Sequence, residues 1–287
     1  MRFTFFAAAI ALAVPVSAQA QDHSAHQGHV AHQDHAAHMA MQAALAQENR
    51  AEDKARDQYR HPAETLAFFD VKPGMTVADF MPSSGWYTRV LVPYLGAEGR
   101  YIGLNPDPAL ISDEGGKAYS SKLVGNFAAQ SPTWALSGAP VENLSSADLG
   151  EAQNGTVDRV LIFREMHNLK RWGSVGAELD RIHALLKDDG MLGIVQHRAK
   201  ADAPDDYVTG GKGYLRQADV VALVESHGFE LVKAGEVNAN PKDPADWEGG
   251  VWSLPPSYRG ADDDAERARR AAIGESDRMT LLFRKKG

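Results

Sequence analysis

Thr76-Val77-Ala78-Asp79-Phe80-Met81-Pro82-Ser83-Ser84-Gly85-Trp86 decides the fold. Thr76 to Phe80 is short, mostly apolar and suited to a strand, and Pro82-Ser83-Ser84-Gly85 ends it with small turn formers. From Trp86 to Leu95 the apolar residues recur at helical spacing. A strand that passes through a small-residue turn into a helix is the opening half of a βαβ unit. The turn is neither G-x-G-x-x-G nor a P-loop, and it lacks the glycines that let a backbone approach a pyrophosphate. A reader of nucleotide phosphates is therefore disfavoured.

The pattern continues outward. Strand-like segments fall at Tyr101 to Leu104, Val157 to Phe163, Met191 to Gln196, Phe229 to Val237 and Met279 to Phe283, with helical patterns at Val175 to Leu186 and Gln217 to His227. Such alternation predicts an α/β protein, with a Rossmann-like, doubly wound, mainly parallel sheet between helical layers. Upstream, Met39 to Arg60 reads as one helix with a charged face, and Pro62 to Phe69 as a second, short one. Downstream, Asn238 to Asp277 is rich in Pro, Gly and Asp and reads as a long loop. Its Trp247, Trp252 and Tyr258 either wall an acceptor pocket or cover the sheet.

The chain has 287 residues, 30 basic against 38 acidic, a net charge of −8 and no Cys. That excludes disulfides, thiolate metal sites and a Cys nucleophile, so any metal needs His or carboxylate ligands. Without a long basic cluster, nucleic acid is a poor partner. Arg2, the apolar run Phe3 to Val16 and Ser17-Ala18-Gln19-Ala20 read as a signal peptide over residues 1–20, and the expected product is periplasmic or secreted. The run is too short for a membrane anchor and contains Pro15, so no span is expected once it is removed. Residues 21–40 are His-rich, with His23, His26, His29, His32, His35 and His38 at every third position. In a polyproline II conformation all six imidazoles line one edge. Two readings stand: a spacer alone, or a spacer that loosely chelates Zn, Cu or Ni. Residues 41–287 remain for the folded domain.

In a doubly wound sheet the ligand lies beyond the carboxyl ends of the strands, near the point where strand order reverses. Asp79, Ser83, Ser84, Gly85, Trp86, Asn105 and Asp107 stand at those ends. S-adenosylmethionine has no phosphate; it asks for exposed backbone groups and acidic or amide partners, with an aromatic face from Trp86 or Tyr87 for its sulfonium. Ser83 and Ser84 are equally suited to capping the following helix.

Beyond these spacings, Phe69-Asp70-Val71-Lys72-Pro73-Gly74-Met75-Thr76-Val77-Ala78-Asp79-Phe80 and Gly85-Trp86-Tyr87-Thr88-Arg89-Val90-Leu91-Val92-Pro93-Tyr94-Leu95 resemble a group of exported class I S-adenosylmethionine-dependent methyltransferases. Phe163-Arg164-Glu165-Met166-His167-Asn168 and Gly190-Met191-Leu192-Gly193-Ile194-Val195-Gln196-His197-Arg198 extend the likeness, as do Gly213-Tyr214-Leu215-Arg216 and the segment from Thr280 to Lys286. The resemblance implies a seven-stranded sheet with a reversed final strand, cofactor loops after the first two strands, and methyl transfer to a small-molecule acceptor. The family's turn is Pro-Gly-Gly-Gly-Trp, and Ser83 and Ser84 replace two of its glycines; where such a position takes positive φ, a serine costs stability.

Arg164 and His167 follow the fourth strand and His197 the fifth, which makes them candidates for the chemistry, with a His as proton acceptor. His183 and His227 lie in helices and read as packing or surface residues. Arg56, Asp57, Arg60 and His61 form either a lid over the cleft or a solvated helix face. Export conflicts with a charged cofactor made in the cytoplasm. Two alternatives therefore stand beside methyl transfer: a Rossmann-like domain that binds another small molecule, and a metal-handling protein built on the His tract.

Overall fold

Alternation along the first strand sorts its side chains between two cores. In the computed structural model, which describes residues 35–286, β1 (Thr76–Phe80) is buried from Val77 onward. Ala78 and Phe80 join one core with Ile102, Leu104, Ile162 and Ile194. Val77 joins the other with Tyr101, Leu161, Val195 and the helix Thr88–Leu95. Period 2 then puts Asp79 on the second face, at the carboxyl end of the strand.

β1 pairs in parallel with β2 (Arg100–Asn105) on one side and β4 (Val157–Phe163) on the other. β3 (Val141–Ser145), β5 (Leu186–His197), β6 (Phe229–Gly235) and β7 (Arg278–Lys285) complete a sheet of order β3-β2-β1-β4-β5-β7-β6. β7 runs antiparallel between β5 and β6, the reversed final strand that the resemblance implies. Strand order reverses about β1 and β4, so their carboxyl ends mark the ligand crevice.

Several expectations are corrected. Met39 to Arg60 is not one helix: the helix ends at residue 46 and is followed by short turns at Glu48–Arg50 and Lys54–Arg56 and a single turn at Asp57–Arg60. The cause is Arg50, which folds inward, bonds Leu45 O and pairs with Asp57 at 2.7 Å, so the charged face is consumed internally. The long loop from Asn238 contains a helix, Asp264–Ile273, whose first turn is capped by the Asp263 carboxylate accepting from Glu266 N. β3 was missed because it is a polar, half-exposed edge strand. Also missed were the helices Glu114–Ser120, Leu123–Gln130 and Met166–Trp172.

Residues 1–39 and 40–287 are separate units. The expected signal peptide and His23, His26, His29 and His32 lie outside the described residues. His35 and His38 lie within them and are helical, not extended. Among the described residues no helix is long and apolar enough to cross a membrane.

The turn after β1 is held from above. Gly85 has φ +76, and a Cβ added there would stand 2.5 Å from the Trp134 ring. Asn49 Nδ2 fixes that segment by donating to Trp134 O at 2.9 Å. Replacing Gly85 by Ala is expected to destabilise the protein by about 2–3 kcal/mol, since it combines overpacking with a left-handed backbone. Urea unfolding of Gly85→Ala beside Gly125→Ala, where nothing lies near the new methyl, checks this; equal midpoints would refute it.

Candidate active site

At the carboxyl ends of β1, β4 and β5 lies a cavity of about 750 Å³, within the range of small-ligand sites. The turn Met81 to Ser84 forms its floor, and Asp79, Glu165 and His167 reach it from the strand ends. A second cavity of about 140 Å³ lies at the end of β2, lined by Asn105, Phe127 and Gln130; it shares Ser83, Ser84 and Tyr119 with the first. The two meet over the turn.

Backbone strain concentrates at these points. Met81, Ser83 and Arg164 have φ of 57°, 54° and 66°, a conformation that non-glycine residues rarely adopt and that gathers at functional sites. One of the two serines that replace glycine thus stands where glycine is favoured. Neither serine caps the helix, which starts at Thr88 without a side-chain cap; both stay exposed at the mouth of the cavity.

Asp79 is 2% exposed and accepts from Tyr101 Oη at 3.0 Å, and that hydroxyl also shares a hydrogen bond with Thr88 Oγ1 at 2.7 Å. Burial pushes the Asp79 carboxyl up to about 7, against the Tyr101 hydrogen bond and the charge of Arg164. Burial also lifts Glu165 to about 7, although Asn168 Nδ2 donates to its carboxylate at 2.6 Å. His167 is lowered to about 4 by burial. His197 is held well below its ordinary value, first by burial and then by His167 and nearby guanidinium groups. Both imidazoles are neutral at neutral pH. Their ring centroids are 5.7 Å apart, and His197 Nδ1 lies 2.5 Å from Ser276 Oγ.

The segment before Pro62 covers the cavity. Arg60 stands 4.5 Å and Arg50 5.2 Å over the Trp86 ring. Arg89 grips the Asp53 carboxylate through Nε at 2.6 Å and Nη2 at 2.8 Å. The Trp86 ring is therefore engaged by guanidinium groups, and Tyr87 stacks on Phe163 at 3.5 Å; neither presents an open face to a ligand cation. Glu275 pairs with Arg56 at 2.6 Å, Arg278 at 3.2 Å and Arg60 at 3.5 Å. Burial opposes its ionisation, yet Arg278, Arg60, Arg164 and Arg56 hold it at about 2.

Of the residues expected from sequence, the structure brings Asp79, Ser83, Ser84, Trp86, Arg164, His167 and His197 to the main cavity. Asn105 lines the smaller one, and Gly85 supports the turn from behind. Asp107 is elsewhere: its carboxylate caps Ala109 N at 2.8 Å and accepts from Arg181 at 3.0 Å. Arg56 and Arg60 belong to a cover, as one reading had it, while Asp57 serves Arg50 and His61 lies outside. His227 pairs with Asp180 and His183 packs on Phe229, structural roles as expected. Trp252 walls the cavity, but Trp247 packs under Arg269 and Arg270 and Tyr258 under Arg267. Glu165, Asn168 and Arg171 were overlooked as site residues, although one turn-and-helix segment carries them with Arg164 and His167. Tyr119, from a helix the sequence did not reveal, had no signal at all. Among the described residues no cluster of three or more His, Asp or Glu is arranged to hold a metal.

Neither protein-family profiles nor curated protein sequences give a match. Solved structures do resemble the chain. The [4+2]-cyclase SpnF aligns at TM-score 0.52 and 14% identity over 79% of this chain and 80% of its own. A SAM-dependent methyltransferase from Aquifex aeolicus aligns at 0.47 and 19%, over 64% and 87%. A Burkholderia thailandensis 1,6-didemethyltoxoflavin-N1-methyltransferase, solved with S-adenosylhomocysteine, aligns at 0.44 and 15%, over 96% and 94%. Strand order and the reversed β7 make this a class I methyltransferase fold, Rossmann-like and seven-stranded.

The raised Asp79 carboxyl has a consequence for stability. Its protonated form favours the folded state, so this contribution is present below pH 4 and is lost as pH rises through about 7. Asp79→Asn removes the buried charge and keeps an acceptor for Tyr101. It should stabilise the ligand-free protein at pH 8 by on the order of 4 kcal/mol and have little effect at pH 4. Thermal melts at the two pH values test this, and an equal shift at both would contradict it.

Proposed function

We propose that the chain is an S-adenosylmethionine-dependent methyltransferase acting on a small-molecule acceptor, exported by the signal at residues 1–20. The observation that carries this reading is the pair of cavities meeting over the Met81 to Ser84 turn, with the Asp79 carboxyl on one side and the Asn105 amide on the other. The donor set fits the group. Asp79 is placed to accept from the amino group of the cofactor's methionine part, the exposed turn offers backbone N–H groups, and Asn105 faces the space for the nucleoside. The cofactor supplies a methyl group on positively charged sulfur.

The chain's own residues then orient the acceptor and handle its proton. His197, neutral and oriented through Nδ1 by Ser276, holds its other ring nitrogen ready to take a proton from an acceptor hydroxyl or amine. His167 lies beside it. Trp252 and the Val251 to Ser257 segment exclude water. A second reading, a Rossmann-like domain binding some other small molecule, draws on the guanidinium groups around the cavity and on the cyclase that shares the fold.

Calorimetric titration with S-adenosylhomocysteine separates the two. Binding in the micromolar range is expected, and Asp79→Asn should weaken it about tenfold by removing a charge-assisted contact. Absence of heat at millimolar ligand would overturn methyl transfer. For export, the protein recovered from outside the cytoplasm should begin at Gln21, as read by N-terminal sequencing; an intact Met1 would refute the signal assignment.

A further inference from the structure

A side chamber of about 110 Å³ opens beside the main cavity, walled by Arg56, Arg164, His197, Trp252, Ser257 and Ser276. A water takes about 30 Å³ of liquid, so the chamber holds three or four waters or a single oxyanion. Its charge is lopsided. Glu275, the one carboxylate on its wall, is already shared by Arg56, Arg60 and Arg278. Arg164 makes no ion pair with any described residue, and its backbone is held at φ +66° by Arg164 N donating to Val195 O at 2.6 Å. Asp79 and Glu165, whose carboxyls the Arg164 charge also reaches, line the main cavity and not the chamber.

Three guanidinium groups thus pair with one ionised carboxylate in a partly water-excluded place, and the charge of Arg164 stands beside them without an ion pair of its own among the described residues. Such clustering is costly unless a further anion joins it. Val251, Leu254, Pro255 and Pro256 form the remaining wall and lower the local dielectric, which strengthens any anion contact made inside. Ser257 and Ser276 add hydroxyl donors, while the neutral His197 ring faces the opening.

We propose that this chamber binds an oxyanion, a carboxylate or phosphate, carried by the acceptor, with Arg164 as its principal anchor and Arg56 as its second. It seats that end of the acceptor beside His197 while the rest lies in the main cavity. The assignment of the anion to the acceptor rests on the methyltransferase reading; the existence of the chamber site does not. Arg164 and Arg56 are then specificity-determining residues, because an acceptor without an anionic end leaves their charges unmatched.

Inorganic phosphate is the probe, titrated calorimetrically into the full chain with and without saturating S-adenosylhomocysteine. Millimolar phosphate binding is expected, reduced about 10- to 100-fold in Arg164→Met by loss of a charge-assisted contact and to a lesser degree in Arg56→Gln, which sits nearer the surface and guards against a folding defect in the first variant. No phosphate binding, or equal binding in both variants, overturns the chamber site. Mutual exclusion of phosphate and S-adenosylhomocysteine assigns the chamber to the cofactor's own carboxylate and overturns the acceptor proposal. Phosphate binding without any S-adenosylhomocysteine binding supports the chamber and overturns methyl transfer.

Discussion

The Glu275 carboxylate is the interaction on which the site depends. It lies buried among Arg56, Arg60 and Arg278 and stays ionised because their charges outweigh the loss of hydration. Arg56 and Arg60 belong to the segment that closes over the cavity, whereas Arg278 begins β7. One carboxylate therefore ties the cover, the last strand and the cavity wall into a single electrostatic unit. Removing one member of a buried set like this leaves the others uncompensated, at a cost of about 3–5 kcal/mol. Trp86 works in the same direction, since two of the cover's guanidinium groups rest on its ring.

Asp79 shows how far local sequence can reach. Alternation in Thr76-Val77-Ala78-Asp79-Phe80 is enough to place its carboxyl at a strand end, facing the helix that follows. Its partner Tyr101 and its buried environment depend on register with β2, which no short window contains. The strands were legible wherever they are apolar on both faces, as Thr76–Phe80 and Val157–Phe163 are. Val141–Ser145 was not, because an edge strand is half wet and need not be apolar. Met166–Trp172 was not, because a helix of two turns shows too little periodicity, so that Arg164 and His167 read as isolated residues. They are instead part of one segment that also presents Glu165, Asn168 and Arg171 to the cavity.

The cover illustrates the opposite limit. Arg50, Asp53, Asp57 and Arg60 have the composition of a solvated face, and propensity alone draws them as a regular helix. Each has a specific partner instead: Arg50 takes Asp57, Arg89 takes Asp53, Arg60 takes Glu275 and Trp86. Charge counts cannot distinguish a face open to water from one folded onto an aromatic ring. The serines of the turn are similar, since the left-handed backbone of Ser83 is imposed by the fold around it and not by its residue type.

Arg56 and Glu275 are separated by 219 positions, and this distance along the chain bears on the order of folding. Contacts between remote residues carry the largest loop-closure entropy and tend to form late. The sheet from β1 to β5 can assemble from neighbouring βαβ units, but the basic wall of the cavity exists only after β7 has docked and the early segment has folded back across it. Ligand recognition is thus a property of the finished molecule. A partly folded chain would already have the turn that follows β1 and Arg164 at the end of β4, but not the wall of Arg56, Glu275 and Arg278 that stands against them.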